Sequence, residues 1–215
     1  LKAAQEAAKI RAQQEARMAA EAEARLKAEQ ERRAMEAAEA QRKLEEKAFE
    51  IRENVARIRE NMKDYPHVHI MAVIKTRTPE EINFAVRECG IPLLGENRVQ
   101  ELLAHYDDLD HSAKLHFIGS LQKNKVKYII DKVDMIESLD SLSLAAEIDK
   151  QAKKAGVKMP VLIELNIGRE ESKGGIFPEE LPALCDALRA YESIVPSGLM
   201  TIAPIQTAKD GYRPY

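Results

Sequence analysis

The sequence predicts an α/β fold on a parallel sheet, with a long helix in front of it. Three observations predict this. From Pro66 onward, short apolar runs alternate strictly with helical patterns. Residues 1–65 contain neither Gly nor Pro. The apolar runs end in polar residues such as Lys75, Asn97 and Asn166, which is where parallel-sheet folds place their ligands.

The helix comes first. Residues 1–50 hold 11 Lys+Arg and 11 Glu, interleaved, with Ala at most other positions. These are strong helix formers. Glu21–Arg25, Glu23–Lys27, Glu29–Arg33 and Glu39–Lys43 stand four apart in the favourable order. Residues 1–48 are therefore read as a helical extension, about 70 Å long at 1.5 Å per residue. Large apolar residues fall only at Leu1, Ile10, Met18, Leu26, Met35 and Leu44. Gaps of eight or nine residues are too wide for a tight coiled-coil seam. That spacing favours a solvated helix over an oligomerising coiled coil. From Phe49 the pattern densifies through Ile51, Val55, Ile58 and Met62. This predicts a buried stripe packed on the domain that follows, which is read as residues 49–204.

The sheet follows in order. The first strand is read at 69–74. Thr78-Pro-Glu-Glu81 opens a helix with a cap, a proline at its first position and an acidic first turn. That helix runs to Cys89 and stops at Gly90. The remaining strands are expected at 91–94, 114–118, 134–138, 160–166 and 194–202. Their helices are expected at 97–106, 122–130, 141–155 and 178–191. Strict alternation means parallel strands joined by right-handed crossovers. Six strands fit an open doubly wound sheet or most of a (β/α)8 barrel. No GxGxxG follows the first strand, where the chain reads Lys75-Thr-Arg-Thr78.

Composition bounds the function. The chain has 215 residues, 32% of them charged, and a net charge of -3. That balance argues against a general nucleic-acid binder. No apolar run reaches the roughly 18 residues of a membrane span, and the start lacks the core of a signal peptide. Cys89 and Cys185 make no disulfide framework, so a reducing, cytoplasmic compartment is expected.

Lys75 directly follows an apolar run. A lysine desolvated there, near other cations, gives up its proton more easily, and the neutral amine can attack a carbonyl to form a Schiff base. It can equally extend from the strand end into water.

Five motifs then occur in order: Ala72-Val-Ile-Lys75-Thr, Gly95-Glu-Asn-Arg-Val-Gln-Glu101, His116-Phe-Ile-Gly-Ser-Leu-Gln-Lys-Asn-Lys125, Asn166-Ile-Gly-Arg-Glu-Glu-Ser-Lys173-Gly-Gly175 and Gly198-Leu-Met200. Over residues 50–204 the chain resembles the YggS/PROSC family of pyridoxal-phosphate homeostasis proteins, which share the barrel of the alanine racemase N-terminal domain. The resemblance implies a (β/α)8 TIM-type barrel, here with about six strands. It implies a protein that binds pyridoxal 5′-phosphate (PLP) and passes it to PLP-dependent apo-enzymes, as a monomer or dimer without established turnover. Lys75 would hold the PLP aldehyde as a Schiff base, with Asn97 beside it. His116 and Asn166 either orient the ring or bound water, or serve as structural hydrogen bonds within their strand ends. Met200 belongs to the last strand of the site. Gln122, Asn124 and Lys125 would offer a helix N-terminus to an anion, and Ser172 with Lys173 a second anion contact.

The family grips the phosphate with a Ser-x-Gly-Met-Ser segment and a later Arg-Ile-Gly-Thr segment, and neither is found here. The chain also opens on Leu1 rather than Met, and residues 205–215 are unassigned. The missing segments are read as truncation at the C-terminus, and the start at Leu1 as the mark of a fragment. Two other readings remain: a PLP-dependent racemase-like enzyme, and a helix-mediated scaffold with an inert barrel remnant.

Overall fold

The computed structural model describes residues 2–204, with side chains from Arg17 onward apart from Ala19. The expectations for Leu1, Ile10 and the 205–215 tail lie outside these descriptions. The chain divides after Glu53 into two compact units.

The helix α1 runs over Lys2–Asn61 without a break, as expected of a stretch with no Gly or Pro. Up to Glu53 its described side chains are almost all exposed. Glu29–Arg33 and Glu39–Lys43 pair at 2.6 and 2.7 Å as anticipated. Glu21 pairs with Arg17, not with Arg25. The expected stripe from Phe49 is only partly there. Ile51, Val55 and Met62 are half-buried, whereas Phe49 and Ile58 are exposed. Helical spacing fixed which residues share a face, but it could not fix whether anything covers that face. The helix ends at Asn61, and hydrogen-bonded turns at Met62, Lys63 and Tyr65 lead to Pro66.

The second unit is a six-stranded sheet in sequential order β1 to β6, every pairing parallel. The strands are β1 (Met71–Val73), β2 (Leu93–Glu96), β3 (Lys114–Phe117), β4 (Met135–Leu139), β5 (Met159–Leu165) and β6 (Ile194–Thr201). Between them lie α2 (Pro79–Arg87), α3 (Val99–His105), α4 (Val126–Ile129), α5 (Leu142–Ala155) and α6 (Leu181–Leu188). All six expected strands and all five helices are present, with shifted ends.

The shifts have local causes. β2 starts after Pro92, which has no N–H for the ladder; the Pro92 carbonyl instead accepts from Lys114 N at 3.0 Å. α3 starts at Val99 because the Glu96 carboxylate captures the N–H groups of Asn97 and Arg98, holding Arg98 extended. α6 is preceded by a short 3₁₀ turn at Pro178–Glu180 and carries Pro182 in its first turn. α2 and α5 begin where their caps predict. Thr78 and Glu81 form a reciprocal capping box. The Ser141 hydroxyl accepts from Leu144 N at 3.3 Å. α5 closes on Gly156, left-handed at φ 71°.

The core lies between one sheet face and the helices. Leu94, Phe117, Ile136, Val161 and Ile163 on the strands and Ile82, Leu102, Ile129, Ile148 and Leu188 on the helices are all buried. The outer strands are less covered: Val73 on β1 and Val195 and Leu199 on β6 are exposed.

Candidate functional site

Strand register assembles the site. Val73, Gly95, His116 and Met135 stand side by side across β1 to β4. Side chains alternate faces along a strand, so the residues two further on share that row's face. Lys75 and Asn97 therefore follow Val73 and Gly95 on the face opposite the buried Ile74 and Glu96. Toward the β6 edge of the sheet, Glu164 pairs with Met200, and Asn166 follows Glu164 on the same face. Five of the six residues named from sequence thus share one face at the carboxyl ends of β1, β2, β3, β5 and β6. Ser172 lies apart, exposed on the loop after β5.

Lys75 is exposed, so the desolvation expected of it is not present. It sits in a tight turn closed by Arg77 N donating to the Ile74 carbonyl at 3.1 Å. Asn97 is held through its backbone, its N–H donating to Glu96 Oε1 at 2.6 Å. Its side-chain Oδ1 is buried with no partner among the described residues. A buried acceptor without a donor costs free energy, and such an atom at a strand end fits a bound group that carries an N–H or O–H. The next loop presses on this position. A Cβ at Gly119 would lie 2.1 Å from the Asn97 carbonyl oxygen, so only glycine fits.

His116 is buried, and its Nδ1 lies 2.6 Å from Glu137 Oε1. That contact fixes the ring through Nδ1, and Nε2 is the ring nitrogen not engaged with Glu137. Sequence reasoning missed Glu137. The signal available was a charged residue inside the apolar run Met135-Ile-Glu-Ser-Leu139.

The Asn166 amide is engaged within its own loop. Its Nδ2 donates to the carbonyls of Glu170 and Lys173, and its Oδ1 accepts from Glu170 N. The amide thus organises the loop 166–176. That loop folds Gly174 and Gly175 over Glu164. A Cβ on Gly174 would lie 3.1 Å from both Glu164 carboxylate oxygens, and Gly175 adopts φ 97° against the Glu164 carbonyl. Glu164 is buried. Burial, reinforced by the neighbouring Asp140 charge, pushes its carboxyl above the usual range. Burial likewise raises Glu96, against the opposing pull of the Arg98 and Asn97 N–H groups.

At Gln122, Asn124 and Lys125 the expected helix is shorter than its sequence span. Lys123–Lys125 form a 3₁₀ turn, and α4 behind it is a single turn long. So short a helix sums few peptide dipoles. These residues line shallow clefts instead. One of about 260 Å³ is bounded by Asn97, Arg98, Gln100, Ser120, Gln122 and Lys125. A second of about 550 Å³ lies against Lys123, Asp140 and Ser141. Lys75 lines neither.

Residues 47–213 match the family described as alanine racemase, N-terminal domain. A pyridoxal phosphate homeostasis protein of Aquifex aeolicus is 45% identical over 147 residues, covering 68% of this chain and 64% of that protein. The chain thus spans a little under two thirds of that relative's length. Another protein of the same description, from Pseudomonas aeruginosa, is 34% identical over 168 residues, covering 74% of this chain and 72% of that one. Among solved structures, PipY of Synechococcus elongatus with PLP bound is similar at a TM-score of 0.63 and 31% identity, covering 73% of this chain and 72% of PipY.

Proposed function

The chain belongs to the pyridoxal phosphate homeostasis proteins of the alanine racemase N-terminal domain family, and from that premise we propose that it binds PLP, joined to Lys75 as a Schiff base. Its six strands correspond to part of that family's barrel. PLP supplies an aldehyde that condenses with a primary amine, together with a ring and a phosphate.

The observation that carries the reading is the shared face: one strand-end lysine among Asn97, His116, Glu164, Asn166 and Met200. Lys75 offers the amine. The unpartnered Asn97 Oδ1 offers an acceptor to a donor on the bound group. His116, fixed through Nδ1 by Glu137, presents Nε2. Asn166 acts one step removed, by holding the loop that carries Ser172. The role is holding and release of PLP for apo-enzymes, without turnover. Residues 49–204 are the binding domain, and 1–48 are a helical extension. No described helix is long and apolar enough to cross a membrane, and a chain whose cysteines are Cys89 and Cys185 alone suits a reducing, cytoplasmic compartment.

The test is an absorption spectrum of the protein with PLP, before and after borohydride, beside Lys75→Ala. A visible band that reduction abolishes, absent in the variant, supports the reading. An identical band in Lys75→Ala rejects Lys75 as the attachment point.

A further inference from the structure

Lys75 owes its place to a turn that its own sequence disfavours. Ile74-Lys-Thr-Arg77 closes as a turn, and its third residue, Thr76, sits at φ 62°. A turn with a positive φ at that position ordinarily takes Gly or Asn. A β-branched residue there is an outlier, which persists only where its surroundings impose it.

The imposing group lies 25 residues away. Thr76 N donates to Glu101 Oε2 at 3.0 Å. Glu101 stands in the first turn of α3 and is itself held. Its Oε1 accepts from Arg98 Nη1 at 2.7 Å, and Arg98 N donates at 2.8 Å to the buried Glu96. A chain of charge-assisted hydrogen bonds thus runs from the buried end of β2, through Arg98 and Glu101, to the residue after Lys75.

We propose that Glu101 is a positioning residue for Lys75: its carboxylate holds Thr76 left-handed, and so aims the Lys75 amine along the site face. This rests on the reading of Lys75 as the PLP lysine. Without the carboxylate, Thr76 relaxes to an ordinary extended or helical φ, and the direction of the Lys75 side chain changes with it. A glycine at position 76 adopts the left-handed conformation without help.

The experiment uses PLP as the probe, followed by borohydride, and reads the modified fraction of each lysine by peptide mass mapping. Lys125 and Lys173 serve as internal references. Four variants are compared: Glu101→Ala, Glu101→Gln, Thr76→Gly and Glu101→Ala with Thr76→Gly. Glu101→Ala should lower modification of Lys75 about tenfold, as misorientation of a reacting group does, and leave the references unchanged. Glu101→Gln, which keeps an acceptor oxygen, should retain most of the modification. Thr76→Gly should restore Lys75 in the Glu101→Ala background. In the ligand-free protein, Thr76 amide exchange should be faster in Glu101→Ala than in the parent. Undiminished Lys75 modification in Glu101→Ala overturns the proposal, as does a loss that Thr76→Gly does not restore in a chain with unchanged circular dichroism. If Lys75 of the parent is modified no more than Lys125 and Lys173, the PLP-lysine reading itself fails and this proposal falls with it.

Discussion

Up to Glu53 the described side chains lie almost entirely in water, whereas every buried apolar residue described lies between Ile74 and Ile194. The two regions are ordered by different physics. The first depends on local terms: helix propensity and surface pairs such as Arg33–Glu29 and Lys43–Glu39, each worth about 0.2–0.5 kcal/mol and screened by salt. The second depends on burial, at roughly 25 cal/mol per Å² of apolar area, and on contacts far apart in sequence. Local terms can set a helix. Only the second kind can hold Lys75, Asn97 and His116 from three strands on one face.

The comparison breaks most easily in the core. Phe117 is 1% exposed and Phe49 is 67% exposed. Phe117→Ala should cost about 3–5 kcal/mol in urea unfolding, and Phe49→Ala no more than about 0.5 kcal/mol. Comparable costs for the two would erase the distinction. Next comes the loop contact at the site. Gly119→Ala puts a methyl group against the Asn97 carbonyl. It should lower stability by about 1–3 kcal/mol, as overpacking does, and reduce PLP binding as well. Unchanged melting and binding would show that the two loops are not packed as described.

Glu164 sharpens the comparison through pH. Its carboxyl is raised on folding, by burial first and by Asp140 second. The folded protein therefore holds that proton more tightly than the unfolded chain. The contribution is fully present below the unfolded carboxyl range, near pH 4.3, and is lost as pH rises through the folded value. Glu164→Gln removes this dependence. Its melting temperature should match the parent at low pH and exceed it at pH 8; a variant that melts below the parent at pH 8 contradicts the sign. The smallest effect belongs to the helix. Arg33→Gln should change stability by about 0.3–0.5 kcal/mol at low salt and by nothing measurable in 1 M NaCl. A larger loss would mean that this face is covered.

The order of elements and the shared face could be read from the sequence, because both depend on local periodicity. Lys75 closes an apolar run, Asn97 follows one and His116 lies within one, and alternation then sets the face of each. What escaped has partners that periodicity does not reveal. Glu137 became part of the site only through His116, 21 residues earlier. Glu101 acts on Thr76 across 25 residues. The burial of Glu164 follows from a loop closing over it. The exposure of Phe49 and Ile58 is the same lesson in reverse, since an apolar stripe reports a face and not its cover. The helix expected from Gln122 is present only from Val126, because the sequence pattern does not reveal that its first turn winds as 3₁₀.

The claim that unites these points is that chemistry resides in the sheet unit, at Lys75. The most direct test is to treat the protein with PLP, reduce it with borohydride and map every modified lysine by mass spectrometry. The structure predicts modification concentrated on the peptide carrying Lys75, with the helix lysines Lys27, Lys43 and Lys47 at background. Modification spread evenly over exposed lysines, helix included, would contradict it.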